Sequence, residues 1–170
     1  QPTVFSARMK GNGNLTPEYG GAVRIVNFVH SFYKYLPPDK YFDAHPEWYS
    51  EIDGKRKHER AQLCLTNEAM IAELTKNVLE TLRKHPDAKI IDVSQNDWYG
   101  FCTCEKCKAM DDAEESHAGT LVHMLNKVAE AVEKEFPDVL VESLAYQYTR
   151  KPPKTIKPRD NVLIRLCTIE

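Results

Sequence analysis

Residues 88–94, Ala-Lys-Ile-Ile-Asp-Val-Ser, decide the fold class, because they form a short apolar run between two helical patterns. A second run of this kind, Val-Leu-Ile-Arg-Leu, occupies residues 162–166. Such nearly continuous apolar runs are typical of strands buried on both faces, as in parallel sheets covered by helices. We therefore expect a layered α/β structure around these two strands.

Two helices are predicted on either side of the first run. One covers about residues 68–84, with apolar residues at 71, 74, 78 and 82, and the other begins at 114 or 119 and ends at 135. This three- and four-residue spacing places the apolar side chains on one helix face. Thr66 or Asn67 is expected to cap the first helix. Each helix is long enough for a crossover connection, so we expect the neighbouring strands to be parallel.

Further apolar runs raise the expected number of strands to about six, mostly parallel. They occupy residues 4–9, 22–30, 61–66 and 139–148. Residues 39–60 have no clean period and are expected to form a long irregular excursion, whose aromatic residues either belong to a site or form a small core. Asp92 lies in mid-strand, where the two interpretations are a buried ion pair, with Arg165 as the candidate partner, and a hydrogen-bonded acid.

Length and charge limit the possible functions. The chain has 170 residues, with 23 Lys and Arg against 25 Asp and Glu, so its formal net charge is −2. A general nucleic-acid binder would show a basic surface, and we expect no nucleic-acid partner. No apolar run approaches the roughly 18 residues that span a bilayer, so no membrane span is expected. The length favours a single domain over residues 1–170.

Polar and aromatic residues follow the predicted strands at their carboxyl ends, where parallel α/β folds carry their sites. Asn96, Asp97 and Trp98 follow the first strand, and His30 and Tyr146 end two others. Amides and carboxylates hydrogen-bond sugar hydroxyls, and aromatic faces cover the apolar side of a sugar ring. This pattern predicts carbohydrate binding. In the alternative interpretation, Asp97 only caps a strand-to-loop turn.

Catalysis on a glycosidic bond commonly needs two carboxyl groups. Asp97 and Glu170 are the candidate pair, because each follows a predicted strand. Trp48, in the excursion, is a candidate stacking platform for the sugar. No cofactor is required for such chemistry.

Three of the five cysteines, Cys102, Cys104 and Cys107, have Cys-x-Cys-x-x-Cys spacing. Thiolates this close can bind zinc, with a fourth ligand from Cys64, Cys167 or His117. They can also form one disulfide, Cys102–Cys107 or Cys104–Cys107, or remain free thiols. With zinc or with the disulfide we expect a structural role, since the cluster would fix the loop that carries Asp97 and Trp98.

Several motifs together resemble an uncharacterised family of bacterial glycoside-hydrolase-like barrels related to alpha-glucuronidases. These motifs are His-Pro-Glu-Trp-Tyr at 45–49, Asp-Gly-Lys-Arg at 53–56, Gln-Leu-Cys-Leu-Thr-Asn at 62–67, Asn-Asp at 96–97, Gly-Phe-Cys-x-Cys-x-x-Cys at 100–107, Ala-Tyr at 145–146 and Asn-Val at 161–162. The resemblance covers about residues 33–170, and the cysteine stretch is its most specific part.

The resemblance implies a (β/α)8 TIM-barrel-like fold with a polysaccharide-related role in secreted or periplasmic proteins. A whole barrel needs about 250 residues, so we expect this chain to be a portion of a barrel or part of a larger chain. Its open sheet edges are expected to favour homo-oligomers. A glycoside hydrolase-like domain is thus the leading hypothesis. The alternatives are a non-catalytic carbohydrate-binding barrel and a structural zinc or redox module built on the cysteines.

Overall fold

The computed structural model describes residues 22–168 as a mixed α/β fold built on a parallel four-stranded sheet. The sheet contains β1 (Ile25–Val26), β4 (Ile90–Asp92), β5 (Leu140–Ala145) and β6 (Val162–Leu166), in this order. A separate antiparallel hairpin is formed by β2 (Glu51–Ile52) and β3 (Lys55–Arg56). The helices are α1 (Phe32–Tyr35), α2 (Pro38–Tyr41), α3 (Glu68–Arg83), α4 (Glu105–Ala113) and α5 (Ala118–Glu135).

The predicted parallel pairing is confirmed for every neighbouring pair in this sheet. In the aligned register, Val26 pairs with Ile91, Ile91 with Val141 and Val141 with Val162. Strands adjacent in the sheet follow one another along the chain, apart from the intervening hairpin. All four carboxyl ends therefore lie at one edge, which we call the carboxyl edge.

Helices α3 and α5 cover one face of the sheet and form the core with it. Leu74 and Val78 of α3 pack with Leu125 and Val128 of α5, and all four side chains are fully buried. Burying such a side chain contributes about 1.5–3 kcal/mol. The Asn67 side chain caps α3 by accepting a hydrogen bond from the Met70 amide at 3.0 Å, as one of the two predicted caps requires.

The excursion forms a small core of its own. It contains most of α2, a 3-10 turn at Pro46–Trp48 and the β2–β3 hairpin. Tyr49 is fully buried, its hydroxyl donates to the Leu36 carbonyl at 3.1 Å, and its ring contacts Phe42 edge to face. Packing therefore orders a segment whose sequence has no period.

Two expectations about the elements are wrong. Within residues 22–168 the parallel sheet has four strands, and the apolar run at 61–66 lies outside it, with isolated bridges Tyr49–Leu63 and Ala61–Gly100. The run at 4–9 lies outside the described residues. Helix α4 was not predicted, because it has no apolar stripe and buries only Cys107 and Asp111. No helix in the described range is long and apolar enough to cross a membrane.

The expected Asp92–Arg165 pair is also wrong. Arg165 Nε instead bonds the Glu142 carboxylate, and Ser94 donates to Asp92 Oδ1 at 2.7 Å. Asp92 and Glu142 pair in register on neighbouring strands, and both are fully buried. Burial raises the pKa of Asp92, against the lowering effect of hydrogen bonds from Ser94 and Ser31.

Candidate functional site

Four buried cysteines lie close enough together to bind one metal ion. The sulfurs of Cys64, Cys102, Cys104 and Cys107 all lie within 4.8 Å of one another. Cys64 Sγ is 3.7 Å from Cys104 Sγ and 3.8 Å from Cys107 Sγ. A Zn–S bond of 2.3 Å in tetrahedral geometry separates two sulfurs by about 3.8 Å. We call this group the four-cysteine centre.

Three separate segments deliver these sulfurs. Cys64 lies within the buried stretch of residues 61–66 that follows the excursion, and its amide donates to the Trp48 carbonyl at 2.8 Å. Cys104 is the N-cap residue of α4, and Cys107 lies in the first turn of that helix. Cys102 precedes them in the loop that leaves the carboxyl edge. The centre thus joins the excursion, this loop and α4.

Donor groups surround the sulfurs. Cys102 Sγ accepts hydrogen bonds from the Glu51 amide at 3.3 Å and from Arg56 Nη1 at 3.7 Å. The Thr66 hydroxyl lies 3.1 Å from Cys107 Sγ. Hydrogen bonds to sulfur and a nearby guanidinium stabilise the negative charge that thiolate ligands bring. Arg56 belongs to the Asp-Gly-Lys-Arg motif at 53–56, and only the tertiary structure brings it to the cysteines.

Neighbouring thiols shift the pKa values of Cys64 and Cys107 in opposite directions. Hydrogen bonds with the Cys102 and Cys107 thiols hold the pKa of Cys64 far below its ordinary value, although burial opposes this effect. Contacts with Cys102 and Cys64, together with burial, raise the pKa of Cys107. Without a metal, the cluster therefore favours a single thiolate, at Cys64, and disfavours a second one at Cys107. A divalent cation removes this conflict, because it replaces protons as the partner of the sulfurs.

The structure decides between the disulfide and the candidate fourth ligands that the sequence left open for the cysteines. All five cysteines are free, so the disulfide alternative is wrong for this structure. Of the three candidate fourth ligands, Cys64 joins the cluster. His117 instead bonds Asp111 Oδ2 through Nδ1 at 2.7 Å. Cys167 lies outside the four-cysteine centre.

The carboxyl edge brings three of the predicted site residues together. The Tyr146 hydroxyl donates to Asp97 Oδ1 at 3.1 Å, and the His30 ring centroid lies 6.2 Å from that of Tyr146. This hydrogen bond raises the pKa of Tyr146. Trp98 is 46% exposed, and the Arg60 guanidinium lies 5.5 Å from its ring centroid. The edge therefore offers a carboxylate, a hydroxyl, an imidazole and an accessible indole.

Asn96 supports this edge from below. It is buried, its side-chain amide donates to the Ala61 carbonyl at 2.9 Å, and its backbone bonds the buried Gln62 amide. Gln62 Nε2 also donates to the Trp98 carbonyl at 2.5 Å. Asn96 and Gln62 thus fix the loop, and sequence reasoning missed Gln62 because its partners lie over thirty positions away.

Two backbone positions beside the edge are strained. His30 has φ of 60° and Gln147 has φ of 50°, both in the left-handed region that favours glycine. Such residues cost about 1–3 kcal/mol each and cluster at functional sites. His30 is held there by its amide, which bonds Ser94 Oγ at 2.9 Å, and by Nδ1, which lies 2.8 Å from the Gln95 carbonyl.

Two other predicted residues lie elsewhere. Trp48 is 7% exposed, and its ring stacks on His45 with centroids 4.0 Å apart, so it offers a ligand little surface. Glu170 lies outside the described residues, and its proposed pairing with Asp97 remains a prediction.

Comparison with known proteins identifies the family. The family described as Domain of unknown function (DUF4838) matches residues 3–170, and the chain belongs to it. No curated protein matches the chain.

Proposed function

We propose that this member of the DUF4838 family acts on carbohydrate at the carboxyl edge, and that a structural Zn²⁺ in the four-cysteine centre holds that edge in place. The observation that carries the proposal is the loop of residues 98–104. It begins at exposed Trp98 beside Asp97 and ends at Cys102 and Cys104. A metal that fixes one end of this loop fixes the position of the other.

Zinc is the metal that the donor set favours. Four thiolates are soft ligands, and closed tetrahedral sets of four cysteines are typical of structural zinc sites. Sulfur separations of 3.7 and 3.8 Å agree with such a set. All four coordination positions would be filled by protein, so the metal would have no open position for water or substrate.

Metal analysis tests the zinc proposal. The purified protein should contain one Zn²⁺ per chain, and Co²⁺ in its place should give the spectrum of a tetrahedral thiolate site. Cys64→Ser should weaken binding strongly, whereas Cys167→Ser should leave it unchanged because Cys167 lies outside the centre. Full metal binding by Cys64→Ser would refute the ligand set.

Carbohydrate binding is supported by the chemistry of the carboxyl edge. Asp97 Oδ1 accepts from Tyr146, while Asp97 Oδ2 has no hydrogen-bond partner among residues 22–168 and can accept from a sugar hydroxyl. Trp98 presents a ring face that covers the apolar side of a sugar. The motif resemblance to glycoside-hydrolase-like barrels related to alpha-glucuronidases points to the same class of ligand.

Hydrolysis of a glycosidic bond is the reaction that we propose for this site. Asp97 would serve as acid, base or nucleophile, and Glu170 would supply the second carboxyl group. A non-catalytic carbohydrate-binding domain, which keeps the aromatic residues without a working pair of acids, is the alternative. The burial of Trp48 leaves Trp98 as the stacking platform for either function.

The remaining parts of the proposal concern the assembly. Four parallel strands in chain order agree with a portion of a (β/α)8 barrel. The outer strands β1 and β6 would pair with further strands of such a barrel or with a second copy. A periplasmic or extracellular location is proposed from the resemblance.

An oligosaccharide panel tests this site. Binding and release of new reducing ends should both occur with the unmodified chain. Trp98→Ala should weaken binding about tenfold, and Asp97→Asn should abolish release, whereas Asp138→Asn at the exposed opposite end of β5 should change neither. Binding without release would leave the non-catalytic alternative. No binding to any member of the panel would refute the carbohydrate proposal.

A further inference from the structure

Cys104 is the most accessible ligand of the four-cysteine centre. Its relative exposure is 9%, compared with 2% for Cys107 and 3% for Cys64. Together with Cys64 it lines a cavity of about 590 Å³ that is open to solvent. Ala69 of α3 and Lys106 of α4 also line this cavity. A small molecule can therefore reach the Cys104 sulfur from outside the protein.

The Cys104 sulfur also has the fewest hydrogen-bond donors around it. Cys102 Sγ has two N–H donors, and Cys107 Sγ lies 3.1 Å from the Thr66 hydroxyl. Among residues 22–168, the Cys104 sulfur has only the Cys64 sulfur within hydrogen-bond distance, at 3.7 Å. Donors withdraw charge from a thiolate, so the sulfur without them keeps the most nucleophilic lone pairs.

The position of Cys104 in the fold adds a further effect. It is the N-cap residue of α4, a helix of nine residues, and its side chain makes no cap hydrogen bond. The Cys104 sulfur is therefore not held by the amides of the first turn of α4. Exposure, the cavity and the lack of donors therefore act together at one sulfur.

We propose that Cys104 is the reactive thiolate of this centre, and that a soft electrophile entering the adjacent cavity alkylates it and releases the metal. The inference rests on the proposed zinc site. With an alkyl halide the sulfur attacks the carbon, the C–S bond forms, the C–halogen bond breaks and the halide leaves with its electron pair. The product is a neutral thioether, which binds Zn²⁺ more weakly than a thiolate does.

Iodoacetamide alkylation of the zinc-loaded Cys167→Ser protein tests the proposal, since this variant lacks the cysteine outside the centre. Zinc content is measured first, release is followed with a chromogenic chelator, and modified residues are identified by peptide mass spectrometry. Cys104 should be alkylated about tenfold faster than Cys64, Cys102 or Cys107, and zinc release should follow the same time course. Faster alkylation of another ligand would overturn the proposal. Absence of zinc before alkylation would instead show that the proposed zinc site is wrong.

A pair of variants tests the route while all four ligands stay in place. Ala69→Leu narrows the cavity, whereas Ala72→Leu adds the same side chain at another exposed position of α3 outside the cavity lining. Ala69→Leu should slow alkylation of Cys104 severalfold, and Ala72→Leu should leave it unchanged. Equal rates in the two variants would exclude entry through this cavity.

Discussion

Gln62 and Asn96 hold each other through two hydrogen bonds of 2.9 Å. The backbone amide of Asn96 donates to Gln62 Oε1, and Gln62 Nε2 donates to the backbone carbonyl of Asn96. Both residues are buried, so neither group has water as an alternative partner. The pair ties the stretch before Cys64 to the loop before Cys102, and thereby links the two candidate sites.

Gln62→Met tests this link. Methionine has a similar size but no amide, so buried backbone groups of residues 96 and 98 would lose their partners, at a cost of about 2–3 kcal/mol. Urea unfolding measures the difference. Leu63→Met, at the neighbouring buried position, is the control and should cost less than about 1.5 kcal/mol. Equal losses in the two variants would contradict a specific role for the amide.

Gly100→Ala should destabilise the loop by about 2 kcal/mol, as overpacking of a tight site does. An added Cβ at Gly100 would lie 2.3 Å from the Arg60 carbonyl oxygen, which is backbone and cannot swing away. Gly54→Ala is the matched control, because its Cβ meets nothing within 4 Å and the only strain is its φ of 71°. Thermal unfolding should give Gly100→Ala a clearly lower melting temperature than Gly54→Ala. The reverse order would contradict the close approach of residue 100 to the Arg60 carbonyl.

Removal of the metal should lower the melting temperature by roughly 10 °C, since a ligand bound only by the folded state stabilises it by mass action. Hydrogen exchange should rise at residues 101–107, which lie around the centre, and change little in β5. Readdition of Zn²⁺ should reverse both effects. An apoprotein with the melting temperature of the metal-loaded protein would show that no structural metal is present.

Asp92→Asn should remove part of the pH dependence of stability. Burial raises the pKa of Asp92 in the folded state above its value in the unfolded chain. The contribution of Asp92 to the free energy of unfolding is therefore fully present below the unfolded-state pKa, and it is lost as the pH rises through the folded-state pKa. The variant carries no such charge, so its stability relative to the unmodified chain should increase as the pH rises above about 4, the ordinary pKa of an aspartate. Denaturant unfolding at several pH values measures this difference, and a constant difference would contradict a raised pKa.

Patterns within a few residues predicted the helices and strands that such patterns mark. Ile71, Leu74, Val78 and Leu82 recur at helical spacing, and α3 buries these four side chains. The continuous apolar runs predicted parallel strands buried on both faces. The parallel pairing is confirmed, but Ile164 and Leu166 of β6 are exposed. In contrast, α4 has no apolar stripe and its N-cap residue Cys104 makes no side-chain cap hydrogen bond, so neither local pattern marks this helix.

The candidate sites were predictable in part. Asp97 and Tyr146 each follow an apolar strand, and parallel pairing of β4 and β5 places both residues at the same edge of the sheet. There the Tyr146 hydroxyl lies 3.1 Å from Asp97 Oδ1. Trp48 is a residue type that commonly stacks on sugar rings, yet its own ring stacks on His45. Whether an exposed-looking aromatic faces solvent depends on neighbours that local sequence does not reveal.

By itself the sequence determined the α/β class, the two long helices and the cluster of three cysteines, because periodicity, capping and close spacing act within a few residues. Only the tertiary structure decided that Cys64 completes the centre, that Arg56 bonds a sulfur and that Gln62 fixes the loop. The pairs concerned are separated by more than thirty positions in the chain. Their contacts exist only after the helices have packed on the sheet and brought these segments together.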